Sequence, residues 1–143
     1  MLLEILLALA LISMVLSGAY SFYLLGLRSY HEGSKNIDIQ QNARISADKI
    51  DRELKWARNY NILAGEDRID FYFFDDARKY SFRVRSRDLE FLIGNSVTKV
   101  AYNIESVRFS TRDPNLIKYT IEAGEGEKKY ELSSSVNLRN GGR

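Results

Sequence analysis

From Ile5 to Leu27 the chain carries no charged side chain. As a helix rising ~1.5 Å per residue, such a run reaches ~35 Å, more than the ~30 Å hydrocarbon core of a bilayer. A secretory signal core would be shorter, ~7–15 apolar residues, with basic residues before it and a small-residue cleavage site after it. Neither flank is clearly present, so residues 1–27 are expected to be a transmembrane helix kept in the mature protein. Ser13, Ser17 and Ser21 interrupt the run at every fourth position, with Gly18 beside them. Small residues on one side of a span let a second helix approach closely, although a serine can also simply bond back to its own helix. One carboxylate, Glu4, stands at the head of this segment, next to a medium that a carboxylate avoids.

The bulk figures of 45% hydrophobic and 28% charged residues conceal this asymmetry. Without the first 27 residues, the remainder is polar and charge-rich, as in a soluble domain. A net charge of +2 does not demand an acidic partner. Cysteine is absent, which excludes disulfides and thiolate chemistry.

Residues 28–60 read as an amphipathic continuation of the helix. Ile39, Ala43, Ala47, Ile50, Leu54 and Ala57 recur at spacings of three and four and form one apolar stripe. Arg44–Asp48, Asp48–Arg52, Lys49–Glu53 and Asp51–Lys55 place opposite charges four apart, each worth ~0.2–0.5 kcal/mol to a helix. Gly33 and Ser34 are positions where the helix could bend or break, and the pattern stops near Asn59–Asn61.

Residues 61–143 change to a period of two. Ile69, Phe71 and Phe73, then Tyr80, Phe82 and Val84, then Ile117, Tyr119 and Ile121 alternate with polar neighbours, as half-buried strands do. Gly65-Glu66-Asp67, Asp75-Asp76, Gly94-Asn95, Asp113-Pro114-Asn115 and Gly124-Glu125-Gly126 mark turns between them. The spacing predicts an antiparallel meander without βαβ units. A sheet of this size buries little alone, and the stripe from Ile39 to Ala57 is its expected cover. The fold class expected is therefore α+β, a long N-terminal helix packed on an antiparallel sheet.

The opening "LLEILLALAL", with Leu2, Leu3 and Glu4 leading into the span, resembles the mature start of type IV pilins and type II secretion pseudopilins. "QQNARISADKIDRELKWARN" (Gln40 to Asn59) resembles the helix of PilW-type minor pilins and J-type minor pseudopilins. "NIESVRFS" (Asn103 to Ser110) and "SSSVNLRN", with Val136, Leu138, Arg139 and Asn140, are similar to later stretches of that group. The resemblance implies a structural minor pilin or pseudopilin that co-assembles with related subunits, priming or capping a pilus-like or secretion filament. It also implies that Glu4 attracts the N-terminal amine of a neighbouring subunit, which assigns subunit assembly to Glu4 and Met1. In the family the glutamate is fifth in the mature chain, after a short basic leader; here it is fourth and methionine leads. Leader cleavage and N-methylation are therefore not carried over to this start.

Arg28 and Lys35 flank the span on its C-terminal side, with no basic residue before it, which by the positive-inside rule places the C-terminal domain in the cytoplasm. The resemblance implies the opposite: a single-pass inner-membrane protein with that domain in the periplasm or at the cell surface.

No catalytic set is visible. His31, the only histidine, lies beside the membrane boundary without a nucleophile motif, as a solvated interfacial residue would. Asp75-Asp76 and Asp113-Pro114-Asn115 lack the spacing of a calcium loop and read as turns. Arg83, Arg85 and Arg87 alternate along "RVRSR" and read as a wet strand face that protects an edge. Neither an enzyme, a metal, a cofactor, a small-molecule substrate nor a nucleic-acid partner is expected; the partners expected are the membrane and other pilin-like subunits. The alternative is a membrane-tethered, extracytoplasmic module that binds a ligand, protein or DNA without polymerising.

Overall fold

The computed structural model describes residues 2–126 and 128–139. One helix, α1 (Leu2–Leu54), precedes eight strands: β1 (Ala57–Ile62), β2 (Arg68–Phe73), β3 (Tyr80–Arg85), β4 (Asp88–Ile93), β5 (Ser96–Tyr102), β6 (Ile104–Asp113), β7 (Leu116–Glu125) and β8 (Lys128–Asn137). The chain divides into two compact units between Ile37 and Asp38. Helical structure is assigned through Gly33 and Ser34, where a break was possible.

The second unit is an α+β domain. From Ile39 onward, α1 buries Ile39, Ala43, Ala47, Ile50 and Leu54 against the strands. Ser46 joins this stripe, fully buried, because its hydroxyl donates to the Asn42 carbonyl at 2.8 Å and needs no other partner. Tyr119 pins the same stretch of α1 to β7: its hydroxyl donates to Asp51 at 2.7 Å and to the Ala47 carbonyl at 3.3 Å. Burial, reinforced by the Asp51 carboxylate, pushes the Tyr119 phenol well above the usual tyrosine range. Of the four expected helix ion pairs, Lys49–Glu53 forms, at 2.5 Å, while Asp51 serves Tyr119.

The helix stops at Leu54, short of the expected Tyr60. Its last turn tightens as Trp56 N–H donates to the Glu53 carbonyl three residues back, and β1 then pairs with β2. Ala57 is buried as expected, but as the first residue of β1 opposite Phe73 and not as a helical position. The ladder with β2 satisfies the backbone of a segment whose Asn59 and Asn61 are poor helix formers.

The strands form two antiparallel meanders where one was expected: a five-stranded sheet in the order β1–β2–β3–β4–β5 and a three-stranded sheet in the order β6–β7–β8. The break falls at Asn103, which adopts a left-handed φ of 57° between β5 and β6 and redirects the chain. Three backbone bonds tie the sheets together. Ile104 N–H donates to Arg87, Gly124 N–H to Asn103, and Phe109 N–H to Glu66, at 2.7–2.9 Å. Both sheets and the helix stripe share one core, with Phe71, Phe82, Phe109, Ile117 and Ile121 fully buried.

Within the five-stranded sheet the buried Asp70 accepts from Arg68 and Ser81 at 2.8 and 2.6 Å and lies 3.3 Å from Lys79. Burial alone would raise its pKa, but the bonds from Ser81, Arg68 and Lys79 outweigh that and hold it below the ordinary value.

Two predictions follow from the packing and the charge. Ile50→Ala should cost ~2–5 kcal/mol in urea denaturation of the detergent-solubilised chain. Ile45→Ala, on an exposed position of the same helix, should fall within ~0.5 kcal/mol of the parent. Because its folded pKa is depressed, Asp70 contributes stability above its unfolded pKa of ~3.9 and loses it as pH falls through the folded value. Asp70→Asn should therefore lower the thermal midpoint at neutral pH, and the two proteins should converge once acid has protonated Asp70 in both states; a constant gap at every pH would refute this.

Candidate functional site

The first unit, which ends at Ile37, contains the uncharged part of α1. Its large apolar side chains from Leu2 to Leu27 each keep 38–81% of their surface exposed. Fully burying one such side chain is worth ~1.5–3 kcal/mol, so leaving the whole segment in water is strongly unfavourable. The helix is long and apolar enough to cross a membrane.

Glu4 lies in the first turn of α1 and is exposed. The unpaired N–H groups of that turn favour a carboxylate by ~0.3–1 kcal/mol. Met1, its proposed counterpart in assembly, and Asn140 lie outside the described residues. Ser13, Ser17 and Ser21 each donate their hydroxyl to the carbonyl four residues back, at 2.7, 2.8 and 2.9 Å. Their polar groups are thus satisfied inside the helix, and what they present outward is small size. A Cβ added at Gly18 would meet nothing within 4 Å. A glycine inside a helix costs ~1 kcal/mol relative to alanine, and no contact among the described residues requires one there.

Two further features mark the first unit. Gly26 and Gly33, seven residues apart and so on nearly one face, also have open space around them. Tyr20, Phe22 and Tyr23 are exposed just before Arg28. Aromatic residues followed by a cation are the composition of a membrane–water boundary, and that order alone could have located the end of the span.

The remaining candidates are held by local structure. Asp76 accepts from the backbone and guanidinium of Arg78, at 2.7–3.1 Å, and from the Tyr80 hydroxyl at 2.6 Å. The Arg78 bonds, then that from Tyr80, hold its carboxyl far below the usual range. Asp113 accepts from Asn115 N–H at 2.9 Å, capping its own turn. Among the described residues, no three His, Cys, Asp or Glu side chains gather as a metal site would require. The three arginines of "RVRSR" do not share a strand. β3 ends at Arg85, and Ser86 and Arg87 form a two-residue turn with φ of 53° and 65°, the primed geometry that matches strand twist. Arg83 pairs across to Glu90 at 2.8 Å, and Arg87 donates to the Gly124 carbonyl. His31 is exposed, edge-on to Tyr30 with ring centroids 6.3 Å apart.

Comparison with protein-family models, with curated proteins and with solved structures gave no match.

The absence of cysteine makes the span directly testable. In intact membranes a cysteine introduced as Val15→Cys should resist an impermeant maleimide, while Asn36→Cys should label at least ten-fold faster on one side. Equal labelling of the two would show that the segment does not cross.

Proposed function

We propose that the chain is a structural, minor pilin-like or pseudopilin-like subunit that inserts by the first part of α1 and co-assembles with related subunits. One observation carries this reading: an exposed apolar helical segment with a carboxylate in its first turn precedes, in the same helix, a stripe that serves as the core of a sheet domain. The helix–sheet arrangement is the one that the resemblance of "LLEILLALAL" and Gln40–Asn59 implies. On this reading the filament is a pilus-like or type II secretion assembly, and the spans bundle along their serine and glycine positions. The sheet domain lies outside the cytoplasm, on the periplasmic or cell-surface side. The work done is association, with no chemical turnover.

Glu4 supplies register. A lone carboxylate at bilayer depth costs ~2.5–3.5 kcal/mol on insertion scales, and an ammonium from the next subunit's N-terminus offsets that only at one axial position. Glu4→Ala should leave membrane insertion unchanged and reduce in-cell crosslinking to related subunits by ten-fold or more. Normal incorporation of the variant would remove Glu4 from the mechanism. A tethered module that does not polymerise would tolerate an unrelated hydrophobic helix in place of residues 5–27, whereas a filament subunit would not.

A further inference from the structure

Where α1 stops, the sheet domain carries two exposed aromatic rings, each faced by an arginine. Trp56, the single tryptophan of the chain, keeps 48% of its surface and Phe74 66%. The Arg139 guanidinium lies 5.0 Å from the centre of the Trp56 ring, and that of Arg58 lies 4.8 Å from the centre of Phe74. Segments distant in sequence are fixed together here. Arg139 N–H donates to the Lys55 carbonyl at 2.9 Å. Ala57 pairs with Phe73, and a register shift between Ala57 and Asn59 sets Arg58 outside the ladder.

Arg52 on the last turn of the helix and Lys55 just past its end add two further exposed cations. Among the described residues, none of Arg52, Lys55, Arg58 and Arg139 forms a salt bridge. Compensation of the helix dipole accounts for Arg52 and Lys55. It does not account for two arginines seated on rings, or for a tryptophan and a phenylalanine left in water beside a core that takes five other phenylalanines wholly or in part. A guanidinium lying on a ring keeps its N–H edge free for phosphate oxygens, and each ring keeps surface for stacking.

We propose that this surface binds single-stranded nucleic acid, with bases stacking at Trp56 and Phe74 and phosphates held by Arg52, Lys55, Arg58 and Arg139. Flat faces between unpaired cations form the combination that holds unpaired bases in a sequence-tolerant way. Paired bases in a duplex do not offer their faces, and an acidic peptide has no rings to stack. Asp75, which directly follows Phe74, limits how many phosphates fit. The inference is independent of the filament reading, since it uses only the sheet domain.

Because Trp56 is the only tryptophan, its fluorescence reports on this surface alone. The full chain in uncharged detergent micelles, titrated with a short oligothymidylate, should show saturable quenching. With four phosphate contacts, affinity should fall about fifty-fold between 50 and 200 mM salt. Phe74→Ala, and separately the Arg58→Ala/Arg139→Ala pair, should each weaken binding roughly ten-fold or more, with an unchanged circular-dichroism spectrum. Arg85→Ala, an exposed cation of β3, should leave it unchanged. No quenching at low salt would overturn the proposal. So would equal binding of polyglutamate or of duplex, or full affinity in Phe74→Ala.

Discussion

The protein depends on burying one narrow stripe of a single helix. Ile39, Ala43, Ser46, Ala47, Ile50 and Leu54 give the two sheets a common cover, and among the described residues neither sheet has another helix to lie against. A stripe of three alanine or serine positions among three larger residues lets the strands approach closely. That closeness brings the Tyr119 hydroxyl within reach of the Ala47 carbonyl and Asp51. Among the described residues of the same helix, those before Ile39 are all exposed. Their surroundings must come from elsewhere, and hydrocarbon is the medium their composition suits.

The two sheets also need a lock, because the chain turns away at Asn103 rather than continuing one meander. Arg87 provides it from a strained position. Its φ of 65° is one that non-glycine residues seldom adopt. The turn it occupies sends its guanidinium to the Gly124 carbonyl and to within 3.9 Å of Glu105. Glu105 also pairs with Lys129 at 2.7 Å, and that bond, more than the nearby charges, holds its pKa below the ordinary value. Gly124 has no room for a side chain, since a Cβ would sit 2.8 Å from the Lys128 carbonyl and 3.0 Å from Glu105. Two hairpin ends and the junction between the sheets thus meet at one point, through a left-handed backbone at Arg87 and Asn103 and the missing side chain of Gly124.

The regular parts of the fold were legible in the sequence, and the irregular parts were not. Period-two alternation marked β2, β3 and β7, and period 3.6 marked the stripe of α1, because in each case one face is apolar and the other polar, even where, as at Asp70 and Ser81, the polar face is buried and hydrogen-bonded within itself. All five turn signals fall between strands or at a hairpin end. The periodicity carries α1 past its true end because Ala57 satisfies the helical stripe and the strand core alike, and only pairing with Phe73 distinguishes them. The Ser86–Arg87 turn was missed because neither residue announces a left-handed backbone; a contact with Gly124, far along the chain, holds it there. Ser46 escapes the apolar pattern because its hydroxyl counts as polar, although the Asn42 carbonyl satisfies it within the helix. The Trp56–Arg139 and Phe74–Arg58 pairs were invisible for a related reason, since proximity across the fold makes them and spacing does not.

The exposed part of α1 poses a problem that lipid only partly solves. Acyl chains cover Leu and Ile well, but they gain nothing from Gly18, Gly26 or the serines, whose hydroxyls are already spent within the helix. In hydrocarbon the attraction between helices comes from close contact, because lipid tails are as apolar as leucine. Positions that forfeit helix propensity without gaining an internal contact therefore make physical sense against a second helix, which can approach closely only where side chains are small. Such packing along a smooth apolar surface leaves sliding along the axis weakly opposed. A charge resolves that, because one carboxylate near the end of each span distinguishes a single offset from all others as soon as a cation is available to meet it. On the proposed reading, Glu4 sets the register of an association that the glycine and serine positions make possible. Neither feature would be sufficient by itself: small residues without the charge give a helix pair free to slip, and the charge without close packing is an unpaired carboxylate in oil.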